Sequence, residues 1–281
     1  LAEYLELDIE LDGRREFEPD LVMALLADFG FEGFREEEGR ILAYIRTGAY
    51  DPDSFEFFLD RNELRELIRS VTITAIPETN WNALWEKDYS PVEISGKCMV
   101  RAPIHPPRAD MAYDLVIFPE MSFGTAHHET TRLMIESILE REWTGRKVLD
   151  FGSGTAVLAI LAEKMGATDV VALDNNPWAF RNSLENLELN GCRHIRTLQG
   201  ELVSLDEYAF HAILGNINLN VLIAEMGNLS ARLVSGGIAI LSGFFRDDLE
   251  TLNRTATQHG LTLTGESYLN RWTVAVYIKG D

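Results

Sequence analysis

Residues 147–160, KVLDFGSGTAVLAI, hold a carboxylate at Asp150 and two closely spaced glycines, Gly152 and Gly154, between apolar segments. A glycine-rich strand-to-helix turn lets a ligand approach the backbone. Two ligand classes use such turns: those with a pyrophosphate, and S-adenosylmethionine, which has none. The dinucleotide fingerprint G-x-G-x-x-G/A needs a small third residue, but this chain has Val157 there and its small residue, Ala156, comes one position early. Asp150, two residues before the first glycine, would repel a pyrophosphate. It would attract the ammonium of a methionyl group near a sulfonium. The charge sign favours S-adenosylmethionine.

Two further positions carry chemistry. Asp174 ends the next apolar segment, 20 residues after Gly154, where a carboxylate can take both ribose hydroxyls of either cofactor. Its alternative role is a solvated helix cap beside Asn175 and Asn176. In LGNINLNVL (214–222), Asn216 offers an amide oxygen just past the fourth strand of the sheet, where ligands of open parallel sheets sit. Methyl transfer to an amine needs the nitrogen neutral and its lone pair in line with the methyl carbon, about 3–3.5 Å away. An acceptor such as Asn216 would orient it as the catalytic residue. With Asn218 and Asn220 close by, a plain turn asparagine stays open as a reading.

The elements that must position these residues follow from periodicity. From residue 130 the pattern alternates strand and helix, with strands expected at 147–150, 169–174, 194–199, 210–215, 237–242, 261–266 and 272–279. A helix over 177–190 opens with Pro177 and closes at Gly191. Alternation of this kind implies a mostly parallel sheet wrapped by helices. The last two strands are joined by only Leu269 to Arg271, too short a link for a parallel crossover, so that pair must be antiparallel. This is the arrangement of the Rossmann-like, S-adenosylmethionine-dependent methyltransferase fold.

The first 75 residues read as a separate α+β unit in the ferredoxin-like order β-α-β-β-α-β. YLELDIEL (4–11) alternates as a half-exposed strand, and 19–30 reads as a helix. A hairpin follows over 31–46 with its turn near Glu38-Gly39, then a second helix over 51–70 with Asp51 as N-cap, and a β-branched strand at 71–76. Residues 77–118 read as linker and leading strands, with Trp81 and Trp85 at helical spacing within 80–89. The domains are therefore expected at 1–76, 77–118 and 119–281.

Charge and composition narrow the partners. The 281-residue chain carries a formal charge of −20, and 19 acidic against 8 basic side chains give residues 1–70 a net −11. Nucleic-acid binding needs basic patches, so direct binding is not expected. An acidic face steers a basic protein or simply keeps the chain soluble. No apolar run approaches the ~20 residues that span a bilayer. Cys98 and Cys192, 94 positions apart, form neither a disulfide framework nor a ligand pattern and suit a reducing cytosol. The chain begins at Leu1 without Met, so a residue or two of the native start is expected to be missing.

Four stretches together, FPEMSFGTAHHETTRL (118–133), VLDFGSGTAVLAI, VALDNNPWAFRNSLENLELNG and GNINLNVL, resemble the bacterial ribosomal protein L-eleven methyltransferase family over nearly the whole chain. The block from Phe123-Gly124-Thr125 to Thr130-Thr131 is the most specific piece. The resemblance implies methyl transfer from S-adenosylmethionine to the N-terminal α-amine and lysine ε-amines of one basic ribosomal protein, recognised by the N-terminal domain. By position it implies cofactor contacts at Phe123, Gly124, Thr131, Gly152, Asp174 and Asn216, beside Asp150 and Gly154 from the turn itself. The chain departs from the family's usual residues at Ala126, His127 and Glu129, which replace Gly, Thr and Pro, at Val221, and at Ala156, where Gly is usual. Three other readings compete: a methyltransferase for another protein or a small-molecule amine, a non-enzymatic S-adenosylmethionine-binding module, and an NAD-dependent oxidoreductase. The incomplete fingerprint and the antiparallel ending disfavour the last.

Overall fold

Apolar–polar alternation builds the strands of one part of the molecule, and continuous apolar runs build those of the other. The computed structural model describes residues 4–11, 22–23, 25–26, 29–31, 33–37, 39–62, 64–76, 90–118, 124, 126–206 and 209–280. They fall into two compact units, Leu1–Asp88 and Tyr89–Asp281. No helix among them is long and apolar enough to cross a membrane.

In the first unit, β1 (Tyr4–Leu11), β2 (Gly33–Glu37), β3 (Arg40–Arg46) and β4 (Ile68–Ile76) form an antiparallel sheet in the order β2-β3-β1-β4. Leu7, Ile9 and Leu11 of β1 are buried while the intervening Glu6, Asp8 and Glu10 stay partly exposed. Helix α1 (Pro52–Arg61) starts at Asp51, whose side chain accepts from the Ser54 N–H at 2.8 Å, and buries Phe55 and Leu59 one turn apart. Sequence periodicity runs this helix to residue 70, but it stops at Arg61. Asn62 closes it by donating both backbone N–H and side-chain Nδ2 to Phe58 O. β4 therefore begins at Ile68, three residues before the expected strand, and meets Leu11 of β1 across a bulge. Of the expected 19–30 helix, Val22, Met23, Leu25, Leu26 and Phe29 are helical and Gly30 is a turn residue at φ +120; residues 19–21, 24, 27 and 28, and the tryptophan pair at 80–89, lie outside the described residues.

The second unit opens with a small sheet, β5 (Val92–Ile94), β6 (Cys98–Arg101) and β7 (Tyr113–Val116), whose Ile94, Val100 and Leu115 join the unit's core. Helix α2 (Glu129–Leu139) precedes the main sheet. That sheet consists of β8 (Lys147–Phe151), β9 (Asp169–Asp174), β10 (Ile195–Gln199), β11 (Phe210–Asn216), β12 (Leu233–Phe245), β13 (Leu261–Leu269) and β14 (Trp272–Lys279). Helices α3 (Val157–Lys164), α4 (Pro177–Leu189), α5 (Leu219–Arg232) and α6 (Leu249–Gln258) alternate with these strands.

The strand order is β10-β9-β8-β11-β12-β14-β13. β10 through β12 run parallel, and β14 is inserted antiparallel to both neighbours. Successive residues of each strand feed opposite cores. Val148, Val170, Ala172 and Leu214 face one apolar cluster, and Leu149, Val171, Leu173 and Ile213 the other. Burial on both faces is what a helix-wrapped parallel sheet requires. The chain reverses its winding between β8 and β11, which opens a crevice at their carboxyl ends.

Candidate functional site

A cavity of about 650 Å³ occupies that crevice, within the usual range of small-molecule sites. Its wall is built from strand ends: Gly152 and Gly154 after β8, Asp174 to Asn176 after β9, Glu201 after β10, Asn216 to Asn218 at β11 and Gly243 in β12. His128 and Thr130 at the start of α2, Trp178 of α4, Glu225 of α5 and Trp272 of β14 complete it. Among the described residues, three carboxylates line the cavity, and no lysine or arginine does.

The glycine turn is folded around Asp174. Its Oδ2 accepts from Gly154 N–H and its Oδ1 from Asn176 N–H, both at 2.9 Å. Each oxygen keeps a further lone pair for a ligand donor. Gly152 sits at φ +71, and a Cβ there would meet Ile217 Cδ1 at 3.0 Å. The turn thus needs glycine both for its conformation and for the approach of the β11 loop.

Asp150 has a different place from the one its position suggests. It is fully buried and does not line the cavity. Its register partner is Ala172, so it points to the sheet face that α3 covers. There its Oδ2 accepts from Ala159 N–H at 3.0 Å, while Oδ1 has no partner. It satisfies an orphan donor of α3, whose own N-cap, Ala156, offers no side-chain acceptor. Burial pushes the Asp150 carboxyl up to about 8, against the pull of the Ala159 N–H, and the charge of Asp174 adds to the rise. Asp150 thus caps α3 and reaches no cavity surface of its own.

Asn216 lines the cavity, and its Nδ2 donates to Thr131 Oγ1 at 3.2 Å. The bond fixes the amide, leaving Oδ1 buried and without a partner. Thr131 is fully buried and outside the wall, and its hydrogen bond to Asn216 ties it to the cavity lining. Gly124 is also outside the wall: at φ +117, its carbonyl accepts from Thr155 Oγ1 at 2.8 Å, which ties this residue to the glycine turn. Phe123 lies outside the described residues. Ala126 and Ala156, where glycine is usual in the resembled family, sit at φ +65 and +62. The backbone keeps a glycine conformation despite the added methyl.

Sequence reasoning missed Glu201, Trp178 and Trp272, and had His128 only as part of the family-specific block, without a role in the site. It also missed an asparagine ladder on α4. Asn190 Oδ1 accepts from Val116 N–H at 3.0 Å and Asn186 Oδ1 from Phe118 N–H at 2.7 Å, holding the segment that leads toward residue 124. The i, i+4 spacing of Asn186 and Asn190 was the available signal.

Comparison with known proteins gives one consistent neighbourhood. The family described as ribosomal protein L11 methyltransferase (PrmA) matches residues 26–279. A ribosomal protein L11 methyltransferase of Bacteroides fragilis is 36% identical over 98% of this chain and 99% of its own. That of Porphyromonas gingivalis is 41% identical over 90% and 88%. The crystal structure of a ribosomal protein L11 methylase from Lactobacillus delbrueckii subsp. bulgaricus superposes with a TM-score of 0.64 at 24% identity, covering 69% of this chain and 100% of that one, a likeness of fold.

Proposed function

The chain belongs to the ribosomal protein L11 methyltransferase family, and from that premise we propose that it transfers the methyl group of S-adenosylmethionine to amino groups of ribosomal protein L11. The acceptors are the N-terminal α-amine and lysine ε-amines. The observation that carries this reading is the charge of the cavity: among the described residues, Asp174, Glu201 and Glu225 line it without a lysine or arginine. Such a wall suits a cationic sulfonium and repels a pyrophosphate.

The residues present fit that cofactor. Asp174 retains an acceptor site on each oxygen for two ribose hydroxyls, and Gly152 and Gly154 let it approach the backbone. Glu201, beyond the next strand, offers acceptors to an exocyclic amine. When bound, the cofactor supplies an electrophilic methyl and leaves as a neutral thioether. Asn216 Oδ1, held by Thr131, accepts from the incoming N–H and aims the nitrogen lone pair at that methyl. As the N–C bond forms, positive charge grows on nitrogen, and its hydrogen bond to Asn216 strengthens. One proton then leaves the nitrogen to water.

The first unit contributes no candidate for this chemistry but carries net −11 over residues 1–70. It is the recognition module for the basic partner, in a cytosolic setting that suits two unpaired cysteines. Titration calorimetry with S-adenosylmethionine and with NAD tests the cofactor. Binding of the former alone is expected, and binding of NAD alone would overturn the assignment.

A further inference from the structure

We propose that Trp272, with His128, forms the wall of the acceptor-amine subsite, and that Glu129 positions this wall through Asn270; the inference rests on the amine-methylating reading above. The cavity has two ends. Asp174, Glu201 and Trp178 stand beyond β9 and β10, whereas His128 and Trp272 stand on the side of Asn216, and Glu225 enters from α5. In the order β9-β8-β11-β12-β14, four strand spacings separate β9 from β14, about 19 Å at about 4.8 Å each. The end with Asp174 and Glu201 suits the cation and hydroxyls of the cofactor, which leaves the end with Asn216, His128 and Trp272 for the acceptor.

That end is built as a wall. The rings of His128 and Trp272 meet edge to face at 4.7 Å, and Phe245 backs Trp272 at 4.3 Å. The only unpartnered buried polar atom among the described residues lining the cavity is Asn216 Oδ1. A lysine amine has an unperturbed pKa of about 10.4 and reaches the protein as an ammonium. A carboxylate would hold it in that form. Burial against two rings, with a neutral amide oxygen as the acceptor, favours the neutral amine that can attack.

One tie fixes both elements that carry the wall. Asn270, in the β13–β14 turn at φ +54, donates from Nδ2 to Glu129 Oε1 at 3.1 Å, across 141 residues of sequence. Glu129 is the first residue of α2 and follows His128; Asn270 precedes Trp272 by two. The Glu129 carboxylate turns toward this partner and does not line the cavity.

The test measures KM and kcat for whole L11 in Trp272→Ala, Trp272→Phe, Glu129→Ala, Glu129→Gln and the Trp272→Ala/Glu129→Ala double variant. The S-adenosylhomocysteine Kd of each is taken by calorimetry. Trp272→Ala should raise the acceptor KM on the order of tenfold, as loss of a buried aromatic anchor does, with the Kd for S-adenosylhomocysteine within about twofold, showing an intact fold. Trp272→Phe should recover most of the loss. Glu129→Ala should raise KM by about threefold, the scale of one exposed hydrogen bond. Glu129→Gln, which can still accept from Asn270, should restore it, and the Glu129 effect should vanish in the double variant. An unchanged KM in Trp272→Ala, or a loss of S-adenosylhomocysteine affinity as large as the KM change, would overturn the wall. An additive double variant would overturn the positioning role. Failure of the underlying function is read separately, on the wild type, as no methyl transfer at all.

Discussion

The carboxyl ends of β8 and β9 lie side by side, and each carries an aspartate directed to the same face of the sheet. Asp150 pairs in register with Ala172, so Asp174 stands one pleat further along, a step of about 6.6 Å. That step separates a buried helix cap from a cavity wall. Asp150 lies beneath α3, with one oxygen on Ala159 N–H and the other without a partner. Asp174 reaches past the helix, gathers the glycine turn with two backbone bonds, and stays open to a ligand. What an acidic residue does at a strand end depends on whether the crossover helix starts above it or below it.

The largest expected effect of this difference is on ligand affinity. On the proposed cofactor reading, Asp174→Ala would remove two charge-assisted bonds to the ribose, each worth about 1.5–3 kcal/mol. Calorimetry should find S-adenosylmethionine binding weakened at least tenfold, whereas Asp150→Asn should leave it within a few-fold. Equal losses in both variants would erase the distinction.

A second effect is confined to Asp150 and to pH. A carboxyl that is raised on folding keeps its full stability contribution below its unfolded pKa and loses it as pH rises through the folded one. With an unfolded value of about 3.9 and a folded value of about 8, the window runs from pH 4 to pH 8. Denaturant titrations should show wild-type stability falling relative to Asp150→Asn across this window and levelling above it. A parallel pair of curves would mean that Asp150 is ionised throughout.

The smallest effect concerns the helix that Asp150 caps. Ala156 precedes α3 at φ +62, and Ala162 lies inside it; both are fully buried. Glycine at either position loses a buried methyl and loosens the unfolded chain, but only at 156 does it relieve left-handed strain of about 1–2 kcal/mol. Ala156→Gly should therefore be more stable than Ala162→Gly by at least about 1 kcal/mol, as read from denaturant midpoints.

The sequence made the central sheet legible because buried parallel strands and their helices repeat two strong periods, and because glycines mark the turn. It placed Asp174 and Asn216 correctly at strand ends. It did not separate Asp150 from Asp174, since one pleat along the same face leaves no trace in residue type. The end of α1 was hidden for a similar reason: Leu64 and Leu67 continue the apolar spacing of a helix that Asn62 has already closed. The aromatic end of the cavity was beyond reach. His128 and Trp272 are 144 residues apart, and only the insertion of β14 beside β12 brings Trp272 to the cavity.

The most direct measurement follows labelled methyl from S-adenosylmethionine to ribosomal protein L11, in wild type and Asn216→Ala, with cofactor affinity taken in parallel. Wild type should label amino groups of L11. Loss of the fixed acceptor should cut turnover on the order of a hundredfold, as removal of one transition-state hydrogen bond does, while cofactor affinity changes only a few-fold. Full turnover by Asn216→Ala, or no label on L11 from the wild type, would contradict the account.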